Sequence, residues 1–255
     1  MDSISGKVPL YGRNAVAELL KSGAAVDTVL LSETMDAKMA GYYTALARQA
    51  GAVVKRTLPA RLTSLCGSEH HQGVAAFAGE ISYASLEDLL AMDTGKPPFF
   101  LLADGVEDPH NLGALLRTAM LCGVQGVVIP KRGAVPVTPT VVKASAGAAT
   151  HIPVARVANI GEAIRRMKRA NIFVYCADLG GETPFAQNLR GAIALVVGAE
   201  GRGVAPLVRR LCDGALSLPM AAGVFGVDSF NVSVAGGIMM YEIFRQREAG
   251  AKTAE

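Results

Sequence analysis

Residues able to do chemistry gather in three short stretches: 104-DGVEDPHNLGALLRTA-119, 195-LVVGAEGRGV-204 and 218-LPMAAGVFGVDSFN-231. In the first, Arg117 is the lone charge on a helical run otherwise built of Leu, Ala and Thr. A guanidinium is effectively always protonated, so it suits holding an anion or steadying a developing oxyanion and makes a poor base. Gly113 and Ala114 are its neighbours on the helix face, and their small size is expected to leave a slot beside it. Asp108-Pro109 marks a turn, after which Asn111 is expected to cap free N–H groups of the helix. In the second stretch Glu200 lies among Gly198, Gly201 and Gly203, residues that let backbone approach a ligand closely. Glu200 is expected to pair with Arg117 and hold its orientation. In the third, Asp228, Ser229 and Asn231 stand where a long helix begins; each can serve as a cap.

Several chemistries are missing. Neither the G-x-G-x-x-G dinucleotide fingerprint nor the G-x-x-x-x-G-K-[ST] phosphate loop occurs, and Pro206 stands where Gly201-Arg202-Gly203 would need a third glycine. No G-x-S-x-G nucleophile elbow is present. His70, His71, His110 and His151 lack metal-ligand spacing, and Cys66, Cys122, Cys176 and Cys212 form no C-x-x-C pair. No metal site and no disulfide framework is expected.

The elements that must position these loops follow from hydrophobic patterning. From 99 onward, apolar runs (FFLLA 99–103, GVVIP 126–130, IPVARV 152–157, NIFVYCAD 171–178, AIALVVG 192–198, ALSLPM 215–220) alternate with helical segments, the last from about 229 to 247. Strands apolar throughout and alternating with helices predict an α/β fold with a mostly parallel sheet covered on both faces. Ligands then sit beyond the carboxyl ends of the strands, in loops 104–111, 178–190, 198–204 and 220–229. Residues 1–79 read as a separate small α/β unit, with helices over 12–21 and 37–51 and strands over 26–32, 52–56 and 73–79. Between them, 80–98 ends in Pro97-Pro98 and reads as a linker, leaving 99–250 as the second domain.

The bulk numbers agree with a cytoplasmic α/β protein. The 255 residues suffice for one large domain or two smaller ones, and 51% are hydrophobic with few aromatics. No apolar run approaches the roughly 20 residues of a membrane span, and the start MDSISGKVPLYGR lacks the pattern of a signal peptide. A net charge of +3 permits a nucleic-acid partner without requiring one. Basic residues crowd at Arg165, Arg166, Lys168 and Arg169, and again at Lys55, Arg56 and Arg61.

Taken in order, NLGALLRTA (111–119), LVVGAEGRGV (195–204) and LPMAAGVFGVDSFNVSVAGGIMMYE (218–242) resemble the three motifs of the SpoU (TrmH) family of ribose 2′-O-methyltransferases in the SPOUT superfamily. YGRNAVAELL (11–20) and HQGVAAF (71–77) are similar to the substrate-binding domain of the branch that methylates guanosine in 23S rRNA, a domain with a fold like ribosomal protein L30e. The resemblance implies S-adenosyl-L-methionine (AdoMet) as cofactor, RNA as substrate, a deep trefoil knot in the C-terminal domain, and a homodimer with the active site near the seam. It places Asn111, Arg117, Glu200 and Asn231 in the catalytic site, with Ser229 in support. Gly198, Gly203, Leu218, Met220 and Phe230 would bind the cofactor, the apolar ones as walls around adenine. The alternatives are a tRNA target, or an RNA-binding protein with a disabled catalytic domain. The 221–230 loop is longer and richer in glycine than the family spacing, and Phe230 replaces its common leucine.

Overall fold

The computed structural model describes residues 9–21, 26–78, 83–221 and 228–251. The chain divides into two compact units, at Ser82 and Tyr83.

The first unit carries β1 (Leu10–Tyr11), α1 (Arg13–Lys21), β2 (Val26–Ser32), α2 (Ala37–Gln49), β3 (Val53–Thr57), α3 (Pro59–Cys66) and β4 (Val74–Ala78). Its four strands run in the order β1-β4-β2-β3, with β2 and β3 parallel and the other pairs antiparallel. Helix α2 starts where Asp36 accepts the Met39 N–H at 3.0 Å and ends before Gly51, as its sequence predicts. Periodicity missed α3, whose Pro59 sits in the first helical turn and whose Gly67 closes it in the left-handed conformation. Gly79, expected to end a strand, lies outside the described residues.

The second unit carries α4 (Leu86–Leu90), β5 (Phe99–Ala103), α5 (Pro109–Leu121), β6 (Gly126–Pro130), α6 (Pro139–Ala144), β7 (Val154–Val157), α7 (Ile160–Arg169), β8 (Phe173–Glu182), β9 (Ile193–Val197), α8 (Pro206–Leu211), β10 (Gly214–Leu216) and α9 (Val232–Ala251). Its six strands run β10-β8-β9-β5-β6-β7, every neighbouring pair parallel. Alternate residues of each strand face opposite sides. Phe100, Leu102, Val128, Val174 and Val196 therefore meet Leu86, Leu89, Ile164, Met167 and Val208 from α4, α7 and α8. On the other face, a side chain at Gly236 of α9 would strike Leu115 of α5 and Val197 of β9, which is why α9 can lie so close to the sheet.

The expected linker needs correction. Ala84 pairs with β7, and Ser85 and Asp88 form a reciprocal cap that starts α4. Leu86 and Leu89 are buried, each worth about 1.5–3 kcal/mol. Farther on, the carbonyls of Pro97 and Pro98 each accept a 3.0 Å bond from Arg247 of α9. Burial and these bonds make 83–98 part of the second unit, and the boundary lies at 82–83.

Candidate active site

The carboxyl ends of β8, β9 and β10 open onto a cavity of about 400 Å³. It is walled by loop 198–204, by Leu216, Ser217, Leu218 and Met220, and by Ser229 to Val232 at the start of α9. Eight residues singled out from sequence meet there: Gly198, Glu200, Gly203, Leu218, Met220, Ser229, Phe230 and Asn231.

Local chemistry shapes the wall. A Cβ at Gly198 would lie 2.0 Å from the Gly203 carbonyl carbon and 2.1 Å from the Val204 nitrogen, so only glycine lets the chain fold back on itself here. Ala199 and Gly203 then exchange both backbone bonds, at 3.0 and 2.8 Å, which tightens the turn. Gly203 itself has φ +66°, a conformation side chains disfavour. Leu218 is buried, whereas Met220 and Phe230 keep nearly half their surface in solvent. The result is a backbone-lined cleft with one apolar side, suited to a flat heterocycle with a polar tail. Residues 222–227 of the long loop lie outside the described residues.

At the mouth of the cleft three side chains close a hydrogen-bonded ring. Asn111 Nδ2 donates to Glu200 Oε2 at 3.1 Å. Asn231 Nδ2 donates to Glu200 Oε1 at 3.1 Å and to Asn111 Oδ1 at 3.0 Å. Both oxygens of one carboxylate are thus held by amides from two helices far apart in sequence. Asn231 Oδ1 is occupied as well: it accepts from the Ser233 N–H at 2.9 Å and from the Ser233 hydroxyl at 2.7 Å. Asn231 therefore starts the helix and joins the site, so the two readings of it are not exclusive.

Four expectations are corrected. Glu200 pairs with Asn111 and Asn231 rather than with Arg117, because two amides at hand satisfy both its oxygens. Arg117 is exposed and has no ion-pair partner among the described residues. Asn111 does not cap α5. Asp108 does, accepting the N–H groups of His110 and Asn111 at 3.2 and 3.1 Å, which frees the buried Asn111 side chain for Glu200. Gly113 does not clear a slot for Arg117 either. A Cβ there would sit 2.5 Å from Ala144 Cβ, so its smallness serves the packing of α5 on α6. The last helix begins at Val232, later than 229, since Asn231 rather than Ser229 provides the cap.

Sequence reasoning missed Ser217, Ser233 and Asp178. Asp178 borders the cleft and holds Arg209 of α8 at 2.7 Å. Its place at the end of the apolar run 171–178 was the only available signal, and it pointed to a loop starting there, whereas β8 carries Asp178 and runs on to Glu182. The basic cluster on α7 is largely neutralised: Arg165 and Arg169 pair with Glu162, Arg166 with Glu87, and Lys168 with Asp213. It reads as a solvated helix face. Among the described residues no group of three or more His, Cys, Asp and Glu is placed to hold a metal ion, and no helix is long and apolar enough to cross a membrane.

Comparison with known proteins places this geometry. Residues 98–241 match the model of the SpoU rRNA Methylase family, and residues 9–84 match that of the RNA 2′-O ribose methyltransferase substrate-binding domain. YacO of Bacillus subtilis, assigned by inference to the TrmH family of tRNA/rRNA methyltransferases, is 42% identical over 93% of this chain and 95% of its own. A Staphylococcus saprophyticus protein with the same assignment is 37% identical over 94% and 96%. Among solved structures, the SpoU methyltransferase AviRb from Streptomyces viridochromogenes, in complex with AdoMet, is similar in fold. It superposes with a TM-score of 0.69 at 24% identity, over 96% of this chain and 92% of that one. The two matched domains and the identity to relatives covered over nearly their whole length together establish that the chain belongs to the SpoU family of RNA methyltransferases.

Proposed function

We propose that the protein transfers the methyl group of AdoMet to a ribose 2′-hydroxyl of RNA, the target being a guanosine of 23S rRNA. The observation that carries this reading is the Asn111–Glu200–Asn231 ring at the mouth of a glycine-walled cleft. The cleft fits the cofactor: Gly198 and Gly203 admit it against bare backbone, and Leu218, Met220 and Phe230 offer apolar contact to adenine. When bound, AdoMet supplies an electrophilic methyl group. The chain's own residues supply position and charge. The ring fixes a carboxylate beside the cleft, with Ser229 on its wall. Arg117, which has no ion-pair partner among the described residues, grips the phosphate next to the target ribose and favours negative charge developing on the 2′-oxygen. The proton passes to a phosphate oxygen or to a nearby carboxylate.

The reading extends to assembly. The first unit, with its mixed four-stranded sheet, serves as an L30e-like domain that presents the RNA. The second unit forms a trefoil knot, and the enzyme works in the cytoplasm as a homodimer. Exposed Val234, Ile238 and Tyr241 on one side of α9, with Met120 and Leu121 of α5, supply apolar surface for a partner subunit.

Mapping 2′-O-methylation across total RNA from cells with and without the gene tests the activity and the target together. Loss of one methyl mark on a 23S rRNA guanosine is expected. Loss from a tRNA instead would refute the rRNA assignment, and an unchanged map would refute the activity.

A further inference from the structure

The loop between β6 and α6 takes no part in the cleft, yet it is held on every side. Lys131 N–H donates to Val157 O at 2.8 Å, and Val135 N–H to Val106 O at 3.0 Å, which pins the loop to the turn before Asp108. Two further ties come from a stacked pair. Arg156 lies over the Tyr83 ring at 5.1 Å and donates from Nη2 to Lys131 O at 3.1 Å. The Tyr83 hydroxyl accepts from Val137 N–H at 3.0 Å. One aromatic–guanidinium pair therefore fastens both ends of the segment 131–137. Tyr83 is also the first residue of the second unit.

What this scaffold presents is charge. Lys131 and Arg132 are exposed, and neither has an ion-pair partner among the described residues. The carboxylates of the adjoining turn are already engaged. Asp104 accepts Ala205 N–H, Asp108 caps α5, and Glu107 meets Arg202. These two cations are thus free to meet an anion beside the turn that carries Asn111. The α7 cluster, by contrast, is spent on ion pairs.

We propose that Lys131 and Arg132 form a phosphate-binding edge for the substrate RNA on the methyltransferase unit, and that Tyr83 and Arg156 are the positioning residues that hold it. This rests on RNA being the substrate, as proposed above. A rigid loop lowers the ordering cost of gripping a flexible backbone. Each phosphate contact releases counterions, so it leaves a mark on the salt dependence of binding.

The test measures binding of the full-length protein to an unmodified 23S rRNA transcript across a salt series, with methylation kinetics alongside. For the double variant Lys131→Ala/Arg132→Ala the slope of log affinity against log salt should fall by about 1.4–1.8. The loss should appear in KM for RNA far more than in kcat, with AdoMet binding unaltered. Tyr83→Ala should move the slope and KM in the same direction. Tyr83→Phe, which keeps the ring over Arg156 and loses only the bond to Val137, should recover most of the effect. A double variant with wild-type slope and KM would overturn the phosphate edge while leaving the proposed function standing. Equal slopes for Tyr83→Ala and wild type would overturn the positioning role. A wild-type protein that binds no RNA at all would overturn both this edge and the function it rests on.

Discussion

At the scale of single residues, the Asn231 side chain caps α9 with its oxygen and reaches Asn111 and Glu200 with its nitrogen, so a suitable substitution can separate the two roles. Asn231→Ser keeps a capping oxygen and removes both amide donors. Stability should change by only about 0.5 kcal/mol, since serine and asparagine cap comparably. Methyl transfer should nevertheless fall well below the wild-type rate, because Glu200 loses one of its two fixed partners. Full activity with a large drop in Tm would show that Asn231 is structural alone. Arg117→Ala addresses a different quantity. If the guanidinium steadies charge that develops only in the transition state, turnover should drop by roughly 10²–10³, comparable to removing one oxyanion donor. AdoMet affinity and Tm should stay near wild type, since Arg117 has no ion pair to lose among the described residues. Turnover close to wild type would remove Arg117 from the mechanism.

The elements impose their own constraints, and α5 shows how tight they are. Gly113 faces Ala144 and Ser145 so closely that Gly113→Ala must push α5 and α6 apart, a cost of about 1–3 kcal/mol. Urea unfolding would report it as a lowered midpoint; an unchanged midpoint would mean that α6 yields freely. Helix α9 carries a buried acid, Glu242. Arg245, bonded to Glu242 at 2.7 and 2.8 Å, and then Gln246 hold the Glu242 carboxyl below its ordinary value of 4.5. A carboxyl depressed in the folded state contributes stability above its unfolded value, and that stability is lost as pH falls through the folded value. Melting temperature should therefore decline on acidification below about pH 5, and Glu242→Gln should flatten part of that decline. Parallel profiles for the two proteins would assign the acid sensitivity to other groups.

For the whole molecule, the division into two units predicts a division of labour. Deleting residues 1–82 should leave AdoMet binding intact while impairing methylation of RNA, because the second unit has its own core and its own cleft. A truncated protein that methylates as well as the full chain would refute an RNA-presenting role for the first unit. Assembly is tested by mass in solution. Helix α9 buries Met239, Met240 and Ile243 but leaves Val234, Ile238 and Tyr241 exposed, so a dimer of the 26.5 kDa chain is expected at micromolar concentration. A fully active monomer would sink both the dimer and the seam placement of the site.

How much of this was legible beforehand depends on the range of the interaction concerned. The parallel sheet was written in runs such as FFLLA and GVVIP, because a strand covered on both faces must be apolar throughout. Candidate positions for ligand-binding loops followed, since ligand sites in such sheets lie beyond the strand ends, though only 198–204 and parts of 178–190 and 220–229 line the cleft. Asn111, Glu200 and Asn231 could be named from motifs, but not joined. Their ring spans 89 and 120 positions of sequence, and it exists only once α5, the turn after β9 and the start of α9 are packed together. The Glu200–Arg117 pair looked natural from opposite charges alone; the fold places two amides beside the carboxylate instead. Gly113 likewise admits two explanations in sequence, room for a ligand or room for a helix, and only its 2.5 Å clearance to Ala144 decides between them. Periodicity and turn chemistry act over a few residues and are written in the chain; which partner satisfies a carboxylate or fills a gap is a long-range matter settled by packing.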